Sequence, residues 1–402
     1  MAPQVGLERP LKIQPLVRQD PGDSNLLFLG TYGTVYASLD GGAHWQPLTL
    51  NLPHAEVRDI AINTRQGDVV VATHGGAFWV LDNLGLLEQF TKNPTMAATG
   101  GNVFAPERAW LTHAYGAPPD PDELEPNSGV NPPFGATVFF HIPDNYDGKT
   151  PAKLEFDDAQ GKVVRSFTLH LQTKEERQEK ADEEAGKPEP DHSAESATQL
   201  MQEAEAKLTA TVPGMNRFQW DLRYAPAEEV NGYHSPAAAG GLDYSANGPM
   251  VTPGTYSVVL NYGGQKTSQT FAVALNPGLH ATGQDLDARL ALTQQIHADM
   301  NALNQDLNRA LAARDKLQAA VDSHKVSEAK AATALEALST AVGSVVQMKI
   351  RSSEGDTMQE TKLHESLAYL AADVEVAYAR PSEAQYAVFR YRPGTQSKNW
   401  TL

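Results

Sequence analysis

The chain has no cysteine in its 402 residues. That absence excludes a disulfide scaffold, a thiolate zinc site, an iron–sulfur cluster and thiol catalysis. An excess of basic residues is also missing: 32 Lys and Arg stand against 49 Asp and Glu, a formal charge of −17. Nucleic acid and anionic lipid both require a basic face, so neither is an expected partner. No run approaches the ~20 apolar residues of a membrane span, and Met1–Pro10 lacks the apolar stretch of a secretory signal. There is no G-x-S-x-G, P-loop or G-x-G-x-x-G, and His364-Glu365 is only half of an H-E-x-x-H. No tight His/Asp cluster has metal spacing, so neither a metal nor another cofactor is expected. Asp120, Asp122 and Glu125 are the nearest approach to a calcium loop, but the prolines between them suit an extended connection better. At roughly 150 residues per domain the length suggests two to four domains.

What the sequence does have is three segments with different periods. In residues 1–95, short β runs alternate with Gly, Asp, Asn and Pro: Asn25–Gly30, Gly33–Ser38, Val57–Asn63, Asp68–Thr73 and Ala77–Leu81. Strands this short and regular suggest a propeller or a sandwich. Residues 96–276 begin with a Pro-rich connection, Ala105–Asn131. Alternating strands follow at Gly135–Ile142, Ala152–Phe156, Val163–Leu171, Asn216–Leu222, Gly254–Tyr262 and Lys266–Leu275. Their number and spacing suggest an immunoglobulin- or fibronectin-like sandwich. A charged insertion at 172–208, with eleven acidic and five basic residues, reads as two helical arms broken at Pro188 and Pro190, or as a loop; a solvated face is its plain role, a dock for a basic partner its sharper one. Residues 277–390 carry apolar positions three or four apart. They predict helices from Gln284 (capped by Thr282), over Ser327–Ile350, over about Met358–Tyr378, and over Pro381–Phe389, with Pro381 in the first turn. This is the pattern of an antiparallel helical bundle. His297 falls on the apolar stripe and reads as a packed core residue. Residues 391–402 form an irregular tail.

Between the second and third β runs, Ser38-Leu-Asp40-Gly41-Gly42-Ala-His44-Trp45 matches S-x-D-x-G-x-x-W, the Asp-box pattern, in full. The Asp accepts backbone N–H bonds within a hairpin turn, Gly takes a left-handed position and Trp plugs the turn from below. Ser38, Asp40, Gly42 and Trp45 are therefore expected to be structural. The order of Gly30-Thr-Tyr-Gly33-Thr-Val-Tyr36, this box, Arg58-Asp59 and Thr73-His74-Gly75-Gly76-Ala-Phe78-Trp79-Val-Leu81-Asp82 resembles the last propeller repeats of bacterial sortilin-like, BNR (Asp-box, YVTN-type) proteins. The resemblance extends through Asn131–Ala136, Asn216–Tyr224 and Tyr386–Phe389, and then stops. Gly76 and Asn83 depart from the relatives' usual Arg and Asp, so any ligand contact made by that Arg is missing here.

Many such relatives are labelled glycosyl hydrolases, and the resemblance implies export to the periplasm or beyond. A blade takes ~40–50 residues and a ring needs several, so this chain resembles the C-terminal part of a larger propeller protein, with open blade edges available for self-association. A glycosidase needs two carboxylates across a cleft. Asp59 and Asp82 are the acidic residues nearest plausible strand ends, although Asp82 also suits a strand terminus or turn cap. His74, Trp79, Trp110 and Tyr115 are candidate ligand contacts, the aromatics because their faces suit sugar rings; Trp220 alternates with Phe218 and reads as core. Three functions follow: a glycan- or protein-binding module, which the missing catalytic constellation favours; a glycoside hydrolase; or a structural portion without activity of its own.

Overall fold

The computed structural model describes residues 16–96, 100–112, 132–184, 187, 197–233, 247–349 and 360–391. Tyr115, the Asp120, Asp122 and Glu125 trio, the centre of the 172–208 insertion and the 392–402 tail lie outside them. Among the described residues the protein is a mixture of β and α, with four sheets and seven helices.

Two small antiparallel meanders come first. Strands β1 (Leu16–Gln19), β2 (Leu27–Gly30), β3 (Val35–Ser38) and β4 (Gln46–Pro47) pair in sequence order, as do β5 (Val57–Asn63), β6 (Asp68–Thr73) and β7 (Phe78–Leu81). Small sheets of three or four short strands need a hydrophobic face to bury. These two share one core: Phe28, Val35 and Ala37 from the first meet Val57, Ile60, Val69 and Val71 from the second, together with Leu26 and Leu84. Leu84 opens α1 (Leu84–Lys92), a helix not anticipated from the β-rich pattern of the first segment.

Nine further strands build the larger core. They are β8 (Asn102–Val103), β9 (Ala109–Leu111), β10 (Ala136–Ile142), β11 (Ala152–Asp157), β12 (Val163–Leu171), β13 (Ala210–Thr211), β14 (Gly214–Trp220), β15 (Gly254–Tyr262) and β16 (Gln265–Leu275). One sheet has the order β14-β10-β8, the other β13-β12-β11-β15-β16-β9. The left-handed glycines 263 and 264 make the two-residue turn that sets the β15–β16 register, Tyr262 opposite Gln265. Alternating residues of both sheets, including Val138, Phe140, Phe218 and Trp220 from one and Leu154, Phe156, Phe167 and Leu260 from the other, form a single cluster. Trp220 is fully buried, stacks on Phe156 at 4.4 Å and donates its indole N–H to the Arg223 carbonyl at 3.0 Å. Trp110, expected in an irregular Pro-rich connection, lies instead in β9, which pairs in parallel with β16.

Helices α2 (Lys174–Glu184) and α3 (Ala197–Thr209) occupy the two ends of the insertion. Four more follow: α4 (Gly283–Asp322), α5 (Glu328–Val345), α6 (Leu363–Val376) and α7 (Glu383–Arg390). Thr282 caps α4 through a reciprocal bond with Asp285. Helix α5 stops before the expected Ile350 because Val346 is extended, with φ −137° and ψ 143°. Pro381 lies just outside α7, not in its first turn, because Ser382 supplies the capping oxygen to Gln385 N–H at 3.2 Å. Leu292, Ile296 and Met300 of α4 pack on α6, while Leu307 and Leu311 pack on the end of α5.

The stretch 223–233 has no strand or helix of its own, so its backbone groups need other partners. Polar residues of α4 supply them. Glu228 N–H donates to Asn301 at 2.9 Å, Asn304 donates to the Glu228 carbonyl at 2.7 Å, and Asn308 donates to the Glu229 carbonyl at 2.8 Å. Asn308 also accepts from Asn231 N–H at 2.8 Å. His297, expected in the core, is only half-buried beside this stretch; burial pushes its imidazole down, against an opposing bond to the Ala225 backbone.

Candidate functional site

Three loops converge at one end of the two small meanders. Val57 N–H donates to the Thr31 carbonyl at 2.9 Å, and His74 N–H to the Glu56 carbonyl at 2.8 Å. These bonds set the β2–β3 turn, the 50–56 loop and the β6–β7 turn side by side. A Cβ on Gly33 would begin 2.7 Å from His54 Nε2, so this imidazole edge packs closely on the first turn. The same end displays Tyr32, 52% exposed, and Phe78, 77% exposed, with the rings of His54 and His74 also open to solvent. His74 Nδ1 lies 3.9 Å from Glu56 Oε2, and Arg58 pairs with the same carboxylate at 3.3 Å. The end thus offers two aromatic rings, two imidazoles and one ion pair: a surface suited to stacking and hydrogen bonding. Phe78 and Val80 also leave the outward side of β7, the edge of its sheet, apolar and exposed.

The turn joining β3 to β4 is built as its residue types dictate. Asp40 Oδ1 accepts from Ser38 Oγ at 2.9 Å and from His44 N–H at 2.8 Å, while His44 Nδ1 lies 2.6 Å from Oδ2. The backbone N–H of His44, followed by its ring and the Ser38 hydroxyl, holds the Asp40 carboxyl down at about 2. Gly42 sits at φ 96°, donates to Ser38 Oγ at 2.9 Å and accepts from the Trp45 indole at 3.1 Å. Trp45 is half-buried over this turn and outside the shared core, so it is less a plug than the sequence suggests.

This turn has a counterpart not anticipated from the sequence patterns. Gly41-Gly42-Ala43-His44-Trp45 recurs as Gly75-Gly76-Ala77-Phe78-Trp79 between β6 and β7. The Trp79 indole donates to the Gly76 carbonyl at 2.5 Å, just as Trp45 does to Gly42. His74 stands where Asp40 stands in the first copy. In place of the carboxylate, the Thr73 hydroxyl and N–H both donate to the Ala77 carbonyl, at 2.7 and 3.1 Å. Repetition of Gly-Gly-Ala-x-Trp was the available signal. At Gly76 an added Cβ would begin 2.9 Å from Thr73 Oγ1 and press on Pro53 and Ala55, so this hairpin favours glycine there.

Asp59 and Asp82 are not brought together. Asp59 stands opposite Ala72, and Val69 stands opposite Leu81, so Asp82 lies beyond the other end of the sheet. Four strand positions separate the two levels, about 13 Å along the strands, whereas paired glycosidase carboxylates lie ~5–9.5 Å apart. Asp59 is bound by Arg18 at 2.7 Å. Asp82 instead faces Asp68 and Glu107: its charge raises the carboxyls of both. Glu107 is pushed up to about 7, chiefly by burial, with Asp68, Glu88 and Asp82 adding to the shift and a bond from Gly85 N–H opposing it. Trp79 is half-buried against the shared core behind the loop end. Trp110 is elsewhere, half-buried beneath the Arg108 guanidinium at 5.4 Å. Among the described residues no group of three or more His, Asp or Glu is arranged to hold a metal, and no helix is long and apolar enough to cross a membrane.

No family model matches the chain, and no curated protein matches it.

Proposed function

We propose that the protein is a glycan- or protein-binding module, with its ligand held at the loop end of the two small meanders. The observation that carries this reading is the exposure of Tyr32 and Phe78 at one edge, flanked by His54 and His74. Aromatic faces displayed to water beside hydrogen-bonding groups suit the apolar faces of sugar rings. The repeated Gly-Gly-Ala-x-Trp hairpin and the core shared by the meanders support their assignment as two Asp-box propeller blades of the BNR, sortilin-like kind. The two-sheet core supports an immunoglobulin- or fibronectin-like sandwich, and α4 to α7 a helical bundle. Export to the periplasm or beyond belongs to the same proposal.

The hydrolase alternative draws less support. Asp59 and Asp82 are at opposite ends of their sheet. Glu107 has the raised carboxyl of a general acid, but its Oε1 is occupied by Gly85 N–H at 2.8 Å.

The test is titration of the full chain with a panel of neutral and acidic oligosaccharides, followed by tryptophan fluorescence and by reducing-end release. Saturable binding without turnover is expected. Tyr32→Ala and Phe78→Ala should each weaken it roughly two- to tenfold, the value of one aromatic contact. Turnover abolished by Asp82→Asn would replace this reading with the hydrolase. If no sugar binds, the glycan arm fails, and a protein ligand is sought with the same two variants.

A further inference from the structure

Helix α1 begins without a side-chain cap of its own. Asn83 occupies the cap position in the left-handed conformation, φ 62°, and its side chain makes no capping bond. The first-turn N–H groups of a helix need an acceptor. Glu107, far along the chain, provides one: its Oε1 accepts from Gly85 N–H at 2.8 Å. The other oxygen lies tight against Gly67, where a Cβ would overlap the carboxylate. Around this bond the strap 104–107 is fastened to α1 twice more. Gln89 donates to the Ala105 carbonyl at 3.0 Å and accepts from Ala105 N–H at 2.7 Å, and Phe90 lies 5.3 Å from the buried Phe104 ring. The strap leads directly into β9 of the larger core. Glu107 is thus a clasp at the junction between the small meanders and the large sheets.

The charges facing this clasp have one sign. Asp68 approaches from β6, Asp82 from the end of β7 and Glu88 from α1 itself. The nearest cation on α1, Lys92, pairs with Glu88 at 3.4 Å. Arg108, next to Glu107, is turned onto Trp110, and Arg65 in the neighbouring turn is exposed. The charges that act most strongly on the Glu107 carboxyl are Asp68, Glu88 and Asp82, and all three raise it.

We propose that the junction between α1 and the 104–107 strap is a proton-controlled latch, closed while Glu107 carries its proton and loosened when it ionises among Asp68, Asp82 and Glu88. A neutral carboxyl still accepts from Gly85 N–H through its carbonyl oxygen and removes the repulsion. The sign follows from linkage. The closed-state value, about 7, lies above the ordinary 4.5. The stabilisation is therefore complete below the ordinary value and is lost as pH rises through the closed-state value. Opening of the latch should increase on the order of tens of fold between about pH 5 and pH 8.

The experiment is amide hydrogen exchange on the full chain from pH 5 to pH 9, corrected for the intrinsic rate, with readout at Gly85 and the rest of α1. Protection that falls with a midpoint near neutrality, and that becomes flat with pH in Glu107→Gln, is the expected result. Asp82→Asn should move the midpoint to lower pH while leaving the helix in place. Should Glu107→Gln fail to fold, the Glu107 carboxyl carbon is titrated by NMR in the unmodified protein. PH-independent protection of α1, an unchanged profile in Glu107→Gln, or a Glu107 midpoint at the ordinary carboxylate value would each overturn the latch.

Discussion

Asn308 offers the sharpest check on how the irregular 223–233 stretch is held. It is buried on α4, with its amide donating to Glu228 Oε1 and the Glu229 carbonyl, both at 2.8 Å, and its oxygen accepting from Asn231 N–H at 2.8 Å. Replacement by Ala removes all three bonds at once. Glu229 is buried, so its carbonyl is stranded, at about 1–3 kcal/mol. Asn231 and Glu228 are exposed and recover their bonds from water, so each adds no more than ~0.5–1 kcal/mol. Together these come to about 2–5 kcal/mol. Asn301 is the internal control: half-buried, it makes a single bond to Glu228 N–H, and Asn301→Ala should cost less than ~1 kcal/mol. Asn308→Asp should cost more than the alanine at neutral pH, since it turns a carboxylate toward Glu228 and the Glu229 carbonyl. Its excess penalty should vanish on acidification, because the folded state favours the protonated side chain. Denaturant unfolding with helix content as the probe measures all three, and exchange of the Asn231 amide localises the effect. Equal losses for Asn301→Ala and Asn308→Ala, or a loss under ~0.5 kcal/mol for Asn308→Ala, would refute the ladder as the anchor of this stretch.

Two further expectations concern the β regions. The Asp40 carboxyl is held at about 2 by His44 and Ser38, so the β3–β4 turn should keep its order above the ordinary carboxylate range and lose it as pH falls through about 2. Asp40→Asn should abolish that acid transition, read from the His44 amide by NMR; an identical transition in the variant would show that another group drives it. Gly135 adopts φ 116°, and a Cβ there would overlap the Trp220 carbonyl. Gly135→Ala should therefore destabilise the large core by about 2–5 kcal/mol in strain and overpacking, and an unchanged melting curve would contradict the close approach.

The sequence patterns were most legible where one physical signal dominated. β5, β6, β12 and β15 occupy the ranges that alternation indicates, and α4 begins at its Thr282 cap. Legibility failed where pairing supplied what the local pattern lacked. Strands β4, β8 and β13 have two residues each, too few to show a period, and exist because a neighbouring strand completes their hydrogen bonds. Trp110 sits amid prolines and charges, yet the free edge of β16 draws Ala109–Leu111 into the sheet. The polar ladder of α4 is similarly opaque: Asn301, Asn304 and Asn308 at helical spacing look like a solvated face until the irregular 223–233 stretch is laid along them.

The candidate site was legible in its parts and not in its relations. His74 stands out because it adjoins a strand end and Trp79 because its ring suits a sugar face, but what they do depends on a comparison along the chain. The second Gly-Gly-Ala-x-Trp copy keeps the indole-to-carbonyl bond that closes the first and discards the carboxylate, putting His74 in the place of Asp40. A repeat that retains its closing bond while exchanging the tightly engaged Asp40 for an exposed imidazole has been freed, at that position, from a purely structural duty. The four-position offset between Asp59 and Asp82 was equally invisible, since strand ends look alike until register assigns each to its own end of the sheet. Register therefore argues for recognition at the His74 end, where exposed rings gather, and for the proton latch near the Asp82 end, where carboxylates gather around a clasp. If both hold, the oligosaccharide titration should respond to Tyr32→Ala and not to Glu107→Gln, and the exchange profile of α1 should respond to Glu107→Gln and not to Tyr32→Ala. Cross-talk in either direction would mean that the two ends of the meanders are coupled through their shared core, and that the ligand site is not confined to the loop end.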